Sequence, residues 1–387
     1  MIRQDHRVRI GIIDGGNRGS SYVRLFDEQP GCSVDAYADL DQSRLERLSR
    51  TSPKLRVTTD FEALLADGSL DAVVIATPTT ARAHIAKRAL MTGKHVFSEA
   101  PLCTNTRETR ELSALAESAG LVLMVGYALL LDERTARIRA LVTGGELGRI
   151  RYLDAVRTGA GPVHSDVSAL YDLGAHDIRL FTHLLDTSPA EVSAAGTCLD
   201  RIDTQDVCFV TLKYPDGVLG HMHISRLNPR DTNTLTVVGD RRTVHWDSDD
   251  PARTLRIYET VRGDDSRHET AEELEQRCGE NIVRMINTER CDPFVRQVQT
   301  FLNAVAAGAG RAPLIPIGSD VTKVLEAATR SMKTGGAMCP VETTPIVSKS
   351  AWARIDSVTP PPRRQPVVTE PDAAVVAPAE EIIMPAG

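Results

Sequence analysis

Five short apolar runs, VRIGII (8–13), SVDAYA (33–38), DAVVIAT (71–77), KHVFS (94–98) and LVLMV (121–125), punctuate the first third of this chain. A strand with one wet face alternates apolar and polar residues. These runs are apolar nearly throughout, so both faces must be covered. The segments between them, including RLFDEQ, FEALLADG and TRETRELSALAESAG, have helical spacing. In the last, Leu112, Leu115 and Ala116 share a face and Gly120 supplies the stop. Strand–helix units repeated at this length predict a doubly wound α/β domain around a parallel sheet.

After a helical segment at 132–143 the pattern changes. Strand-like runs with alternation follow near 149–157, 190–197, 206–213, 218–225, 233–238 and 242–247, joined by turns such as Tyr214-Pro215-Asp216-Gly217 and Gly239-Asp240. Consecutive strands with tight turns predict an α+β domain on a large, open, mainly antiparallel sheet. Helices are expected at 291–307 and 318–334, the second opening on Ser319-Asp320 as an N-cap. An open sheet must cover a face, so a homodimer or homotetramer through that sheet is expected. The expected division is 1–130 for the parallel-sheet domain, 131–343 for the second domain and 344–387 for a C-terminal extension. The extension is Pro- and Ala-rich and expected to be mobile from about 357.

The bulk numbers remove several classes of partner. A net charge of −7, with no long basic run, argues against nucleic acid and anionic membranes. No apolar stretch approaches the roughly 20 residues of a membrane helix, and MIRQDHRVRIGII lacks the core of a signal peptide. Seven cysteines without a CxxC pair predict free thiols in a cytoplasmic protein rather than disulfides or zinc. His221-Met222-His223 has no third ligand nearby, so it reads as two sheet histidines and no metal is expected. Trp246 and Trp352 read as packing residues.

The first strand runs into Asp14-Gly15-Gly16-Asn17-Arg18-Gly19 and then a helix. In a dinucleotide-binding turn, glycines allow the tight bend, the approach of pyrophosphate and the packing of helix on strand. Gly16 and Gly19 hold the second and third places, Asp14 holds the first, and Gly15 is a neighbour of it. Backbone N–H groups of the helix N-terminus, with Arg18, suit a phosphate. Asp39 lies 20 residues beyond Gly19 at the end of the second strand, where a carboxylate binds ribose hydroxyls and favours NAD over NADP. The competing reading of Asp39 is a helix cap, and Arg44 reads as part of a solvated helix face. Thr77-Pro78-Thr79 leaves the fourth strand at the edge where such sheets bind ligands.

These segments, with VVIATPTTARAHIAKRALMTGKHVFSEAPL, LVLMVGY, GELGRIRYL, GPVHSDVSALYDLGAHDIRLFTHLL, TVVGDRRTVHWD and FLNAVAAG…VTKVLEAATRSMKTGG, resemble the Gfo/Idh/MocA family of NAD(P)-dependent oxidoreductases over residues 7–343. The resemblance implies a Rossmann domain joined to an open-sheet substrate domain. It also implies hydride transfer between a nicotinamide and a sugar, nucleotide-sugar or cyclitol-like hydroxyl. It assigns Gly15, Gly16, Asn17, Arg18, Gly19, Asp39, Thr77, Pro78, Thr79 and Glu99 to the cofactor. His176 is the implied acid/base, and Asp172 its partner four residues earlier on a helix face.

The family's E-K-P turn reads Glu99-Ala100-Pro101 here, and the lysine is absent. Lys94 matches a different lysine of the family. Tyr127, with His164 and Asp166 beside the substrate, is the expected source of compensation. Losing one preorganised donor costs roughly 10²–10³ in rate. A redox-neutral NAD enzyme (epimerisation, elimination or acid–base rearrangement) and a non-catalytic, ligand-sensing member therefore stand as alternatives.

Overall fold

The computed structural model describes residues 7–15, 18–160, 166–199, 204–250, 252, 254–259, 283–288, 291–308 and 319–342. Its first sheet has the order β3-β2-β1-β4-β5-β6 and every neighbouring pair is parallel. The strands are β1 (Val8–Asp14), β2 (Cys32–Ala38), β3 (Arg56–Thr58), β4 (Ala72–Ala76), β5 (His95–Glu99) and β6 (Leu123–Gly126). Helices α1 (Gly19–Asp27), α2 (Gln42–Thr51), α3 (Phe61–Ala66), α4 (Thr79–Met91) and α5 (Thr106–Ala119) link them. Every residue of β4 is buried, as an apolar run covered on both faces requires. Gly120 ends α5 in the left-handed conformation (φ 66°), its N–H bonded back to Ala116.

A 3-10 turn (Ala128–Leu131) and α6 (Glu133–Thr143) lead into a nine-stranded sheet of order β14-β13-β12-β11-β7-β10-β9-β8-β15. Its strands are β7 (Ile150–Thr158), β8 (Glu191–Thr197), β9 (Val207–Lys213), β10 (Leu219–Ser225), β11 (Thr232–Gly239), β12 (Arg242–Asp247), β13 (Thr254–Glu259), β14 (Val283–Asn287) and β15 (Cys339–Pro340). All pairs are antiparallel except β7 with β10. Between β7 and β8 the chain passes through a π-helical turn (Leu170–Gly174) and α7 (Ala175–Leu185), which lets β7 enter the middle of the sheet. Strands β3, β13, β14 and β15 extend the expected set. All four lie at or near sheet edges, where one exposed flank weakens the apolar signal.

Along β10, Gly220, Met222 and Ile224 point into the core, while Leu219, His221 and His223 point outward. The outer face also carries Tyr152 and Phe209, both well exposed, and Phe209 stacks on His223 at 4.6 Å. His221 pairs with Asp154 at 2.9 Å, and no metal-holding cluster exists among the described residues. Trp246 is buried under Arg134, whereas Trp352 lies outside the described residues. The six described cysteines are free thiols.

Two further helices, α8 (Pro293–Ala307) and α9 (Ser319–Lys333), complete the chain as far as β15. Helix α8 returns to the first sheet: Phe301 meets Phe97 of β5 and Phe26 of α1 edge-on at 5.6 and 6.3 Å. Burying a side chain of this size stabilises by about 1.5–3 kcal/mol. Helix α9 is described from Ser319, and the expected start at 318 lies outside the described residues. Asp320 lies within its first turn and grips Arg179 of α7 at 2.9 Å, so this carboxylate joins two helices.

Candidate active site

The carboxyl ends of β1, β2, β4, β5 and β6 share one edge of the first sheet, and the candidate residues of this half cluster there. In the turn after β1, the buried Asp14 carboxylate accepts the Gly19 N–H (3.1 Å) and the Tyr37 hydroxyl (2.7 Å). It is thus turned back beneath the start of α1. A Cβ on Gly19 would lie 2.5 Å from the Asp14 side chain, so only glycine fits there. Burial first, then Asp14, drives the Tyr37 phenol well above its usual range. A Cβ on Gly15 would stand 3.1 Å from Pro78, which shows how closely this turn abuts the exit of β4. Arg18 is the N-cap residue of α1 and lies 3.6 Å from Glu99. Gly16 and Asn17 lie outside the described residues.

Asp39 follows β2, its buried carboxylate accepting the Asp41 N–H (2.8 Å) and Arg44 Nη1 (3.3 Å). The N-cap of α2 is Asp41, so Asp39 is not the cap. Arg44 is not a free solvated cation either, since it pairs with both Asp39 and Asp41. Pro78 and Thr79 start α4. The Thr77 hydroxyl before them is buried with no partner among the described residues. Buried hydroxyls are ordinarily hydrogen-bonded. An orphaned Thr77 hydroxyl, a ribose-height carboxylate at Asp39 and a helix N-terminus on one edge fit an NAD molecule.

The turn after β5 departs differently. Ala100 is buried, and the Ala100–Pro101 peptide is cis. Glu99 accepts the Tyr22 hydroxyl at 2.7 Å, and Tyr22 takes a weaker bond from Gln297 of α8 at 3.4 Å. Lys94 precedes β5 and so lies at the opposite end of that strand from Ala100. Its ammonium is held by the carbonyls of Asp67 (2.7 Å) and Leu70 (3.2 Å).

From the second sheet come Asp172 and His176. Asp172 sits in the π-helical turn and binds Arg226 at 2.9 Å. A Cβ on Gly174 would come within 2.7 Å of Ile224, so glycine lets this turn lie directly on β10. His176, at the start of α7, meets the buried ring of Tyr127 edge-on at 5.8 Å. Tyr127 ends the β6 segment, so this contact joins the two halves of the site. Burial, then the Arg157, Arg18 and Arg82 guanidiniums, push the His176 pKa down to about 3. Its imidazole is therefore neutral at ordinary pH and can accept a proton or hydrogen bond.

Asp166 accepts the Thr80 N–H at 3.0 Å and so caps α4 at the carboxyl edge of the first sheet. His164 lies outside the described residues. Sequence reasoning passed over Arg82, Tyr22 and Arg226. For Arg82 the available signal was its place one helical turn after Pro78. For Tyr22 it was the i, i+4 pairing with Phe26, which marks the sheet-facing side of α1.

Two family models match the chain: an oxidoreductase family with an NAD-binding Rossmann fold over residues 8–127, and the Gfo/Idh/MocA C-terminal domain over 135–245. Together they cover more than half of it, and the protein belongs to the Gfo/Idh/MocA family of NAD-binding oxidoreductases. Among its relatives is the uncharacterised oxidoreductase YrbE of Bacillus subtilis, 26% identical over 56% of this chain and 66% of that protein. Inositol 2-dehydrogenase 2 of Saccharopolyspora erythraea is 26% identical over 87% of this chain and 96% of its own length. The crystal structure of GenD2 from gentamicin A biosynthesis, in complex with NAD, superposes with a TM-score of 0.72 at 23% identity, covering 87% of this chain and 97% of that one.

Proposed function

We propose that the protein oxidises a sugar- or cyclitol-like secondary hydroxyl, or reduces the matching ketone, with NAD as partner. The observation that carries this reading is the contact of His176 with Tyr127. It sets the proton-handling group of the second sheet against the carboxyl edge of the first. Thr77, Asp39 and the start of α1, with Arg18, would hold the dinucleotide. Bound NAD supplies the acceptor or donor of hydride. His176 exchanges the hydroxyl proton, and Asp172, fixed by Arg226, orients a neighbouring hydroxyl. The cyclitol class is supported by the inositol dehydrogenase relative, and a small polar substrate suits a cleft lined by these groups.

Ala100 favours a second reading, in which NAD is bound but no net redox change occurs, or no turnover at all. Mass analysis of nucleotide released from denatured protein, followed by a polyol panel read at the reduced-nicotinamide absorbance, tests the two. NAD retained or bound on titration, with absorbance rising on a polyol, is the expected result. Failure to bind NAD sinks the oxidoreductase reading, and product without absorbance change selects the redox-neutral one. His176→Ala is expected to lower turnover by 10²-fold or more. Full activity in that variant removes His176 from the chemistry.

A further inference from the structure

Arg82 projects from the first turn of α4 and donates Nε to the Thr77 carbonyl (2.8 Å) and Nη1 to the Pro101 carbonyl (2.9 Å). The first acceptor lies at the cofactor edge. The second lies one residue beyond Ala100, in the turn that lacks its lysine. Among the described residues Nη2 has no protein partner. Glu99, Asp172 and Asp166 act electrostatically on the guanidinium, which in turn acts on His176. A planar cation clamped through two edges, with a third donor left over, is preorganised for a developing negative charge.

We propose that Arg82 is the catalytic cation of this site, its guanidinium holding the substrate oxygen in the place where the ammonium of an E-K-P turn would act. The proposal rests on the oxidoreductase reading above. In the oxidation direction the carbinol C–H bond breaks and its hydride leaves to oxidised NAD. The O–H bond breaks and its proton passes to His176, and the carbon–oxygen double bond forms. Arg82 keeps its charge and its protons throughout, because guanidinium is not deprotonated in proteins. It replaces the electrostatic part of the lysine's task and leaves the proton relay to His176.

Two measurements test this. The first needs no substrate: Ala100→Lys protein, reductively methylated with 13C, is titrated by NMR in the NAD-loaded form. With Arg82 present, the introduced ammonium is expected to titrate at least one pH unit lower than in the Ala100→Lys/Arg82→Gln protein, since like charges at one place disfavour each other. Identical titration would show that the two cations do not share the site and would overturn the proposal. The second measurement follows turnover of myo-inositol and the polyol panel. Arg82→Gln is expected to lower kcat roughly 10²–10³-fold with NAD affinity changed less than threefold. Arg82→Lys should keep kcat within about tenfold, and Ala100→Lys added to Arg82→Gln should restore at least tenfold. Arg82→Gln turning over at the wild-type rate, or Arg82→Lys falling as far as Arg82→Gln, would overturn the assignment. If the wild type turns over no polyol, the oxidoreductase reading fails, and the titration still decides where the Arg82 charge lies.

Discussion

The turns after β1 and β5 break the family pattern in opposite senses. In the first a carboxylate, Asp14, stands where a glycine is expected, and its neighbours absorb it: the Gly19 N–H and the Tyr37 hydroxyl both point at Oδ2. In the second a cation is missing at Ala100, and the cation proposed to replace it, Arg82, comes from another element, α4. A surplus charge can be satisfied locally, because backbone N–H groups and hydroxyls are found beside most turns. A lost charge must be delivered by another element, because only a charged side chain carries one.

The largest expected effect falls on the second turn, with Arg82→Gln, as set out above. The next concerns pH. His176 and His183 are both depressed to about 3, His176 by burial and then by Arg157, Arg18 and Arg82, His183 by burial and then by Arg139 and Arg179. In the unfolded chain these histidines titrate near the ordinary value of about 6.5, so on acidification it takes up these protons first. The stability they represent is whole above about 6.5 and is lost progressively as pH falls toward 3. Each histidine contributes a slope of about 1.4 kcal/mol per pH unit in that window. Urea titrations from pH 7 to 5 are expected to show a steeper decline for wild type than for His183→Asn. An unchanged slope in His183→Asn would refute the neutral, buried state of that ring.

A smaller effect belongs to the support of Glu99. Tyr22→Phe leaves a buried carboxylate oxygen without its 2.7 Å donor and is expected to cost about 1–3 kcal/mol of unfolding free energy. A loss under a few tenths would mean that Arg18 already suffices. The smallest effect tests the first turn directly. Asp14→Gly removes a negative charge from the N-terminus of α1, where charge interactions are worth about 0.3–1 kcal/mol, and is expected to tighten NAD binding by roughly two- to fivefold. Calorimetric titration reads this, and weaker binding would mean that Asp14 helps to shape the phosphate site. The same variant should unfold more easily, since Tyr37 then loses its partner.

Much of the architecture was legible in the chain itself. Apolar runs without alternation required a parallel sheet covered on both faces, and the alternating runs after 149 required an open sheet. The positions of Asp39, Thr77 and the glycine turn followed from their places after strands, because a strand's end is set by local pattern. Asp172 and His176 were visible as a spaced pair for the same reason. Spacing did not reveal that Asp166 would cap α4, that Asp320 would hold Arg179, or that Phe301 would bring α8 back onto the first sheet. These contacts join residues 86, 141 and 204 positions apart (Thr80 to Asp166, Arg179 to Asp320, Phe97 to Phe301).

The sequence by itself determined the two sheets, the nucleotide edge and the absence of a lysine at Ala100. Only the tertiary structure decided that Asp14 turns inward, that Tyr127 meets His176, and that a guanidinium reaches the Pro101 carbonyl. The physical reason is range. Periodicity and turn chemistry are local properties of the backbone. The surroundings of a charge are instead fixed by whichever elements fold against it.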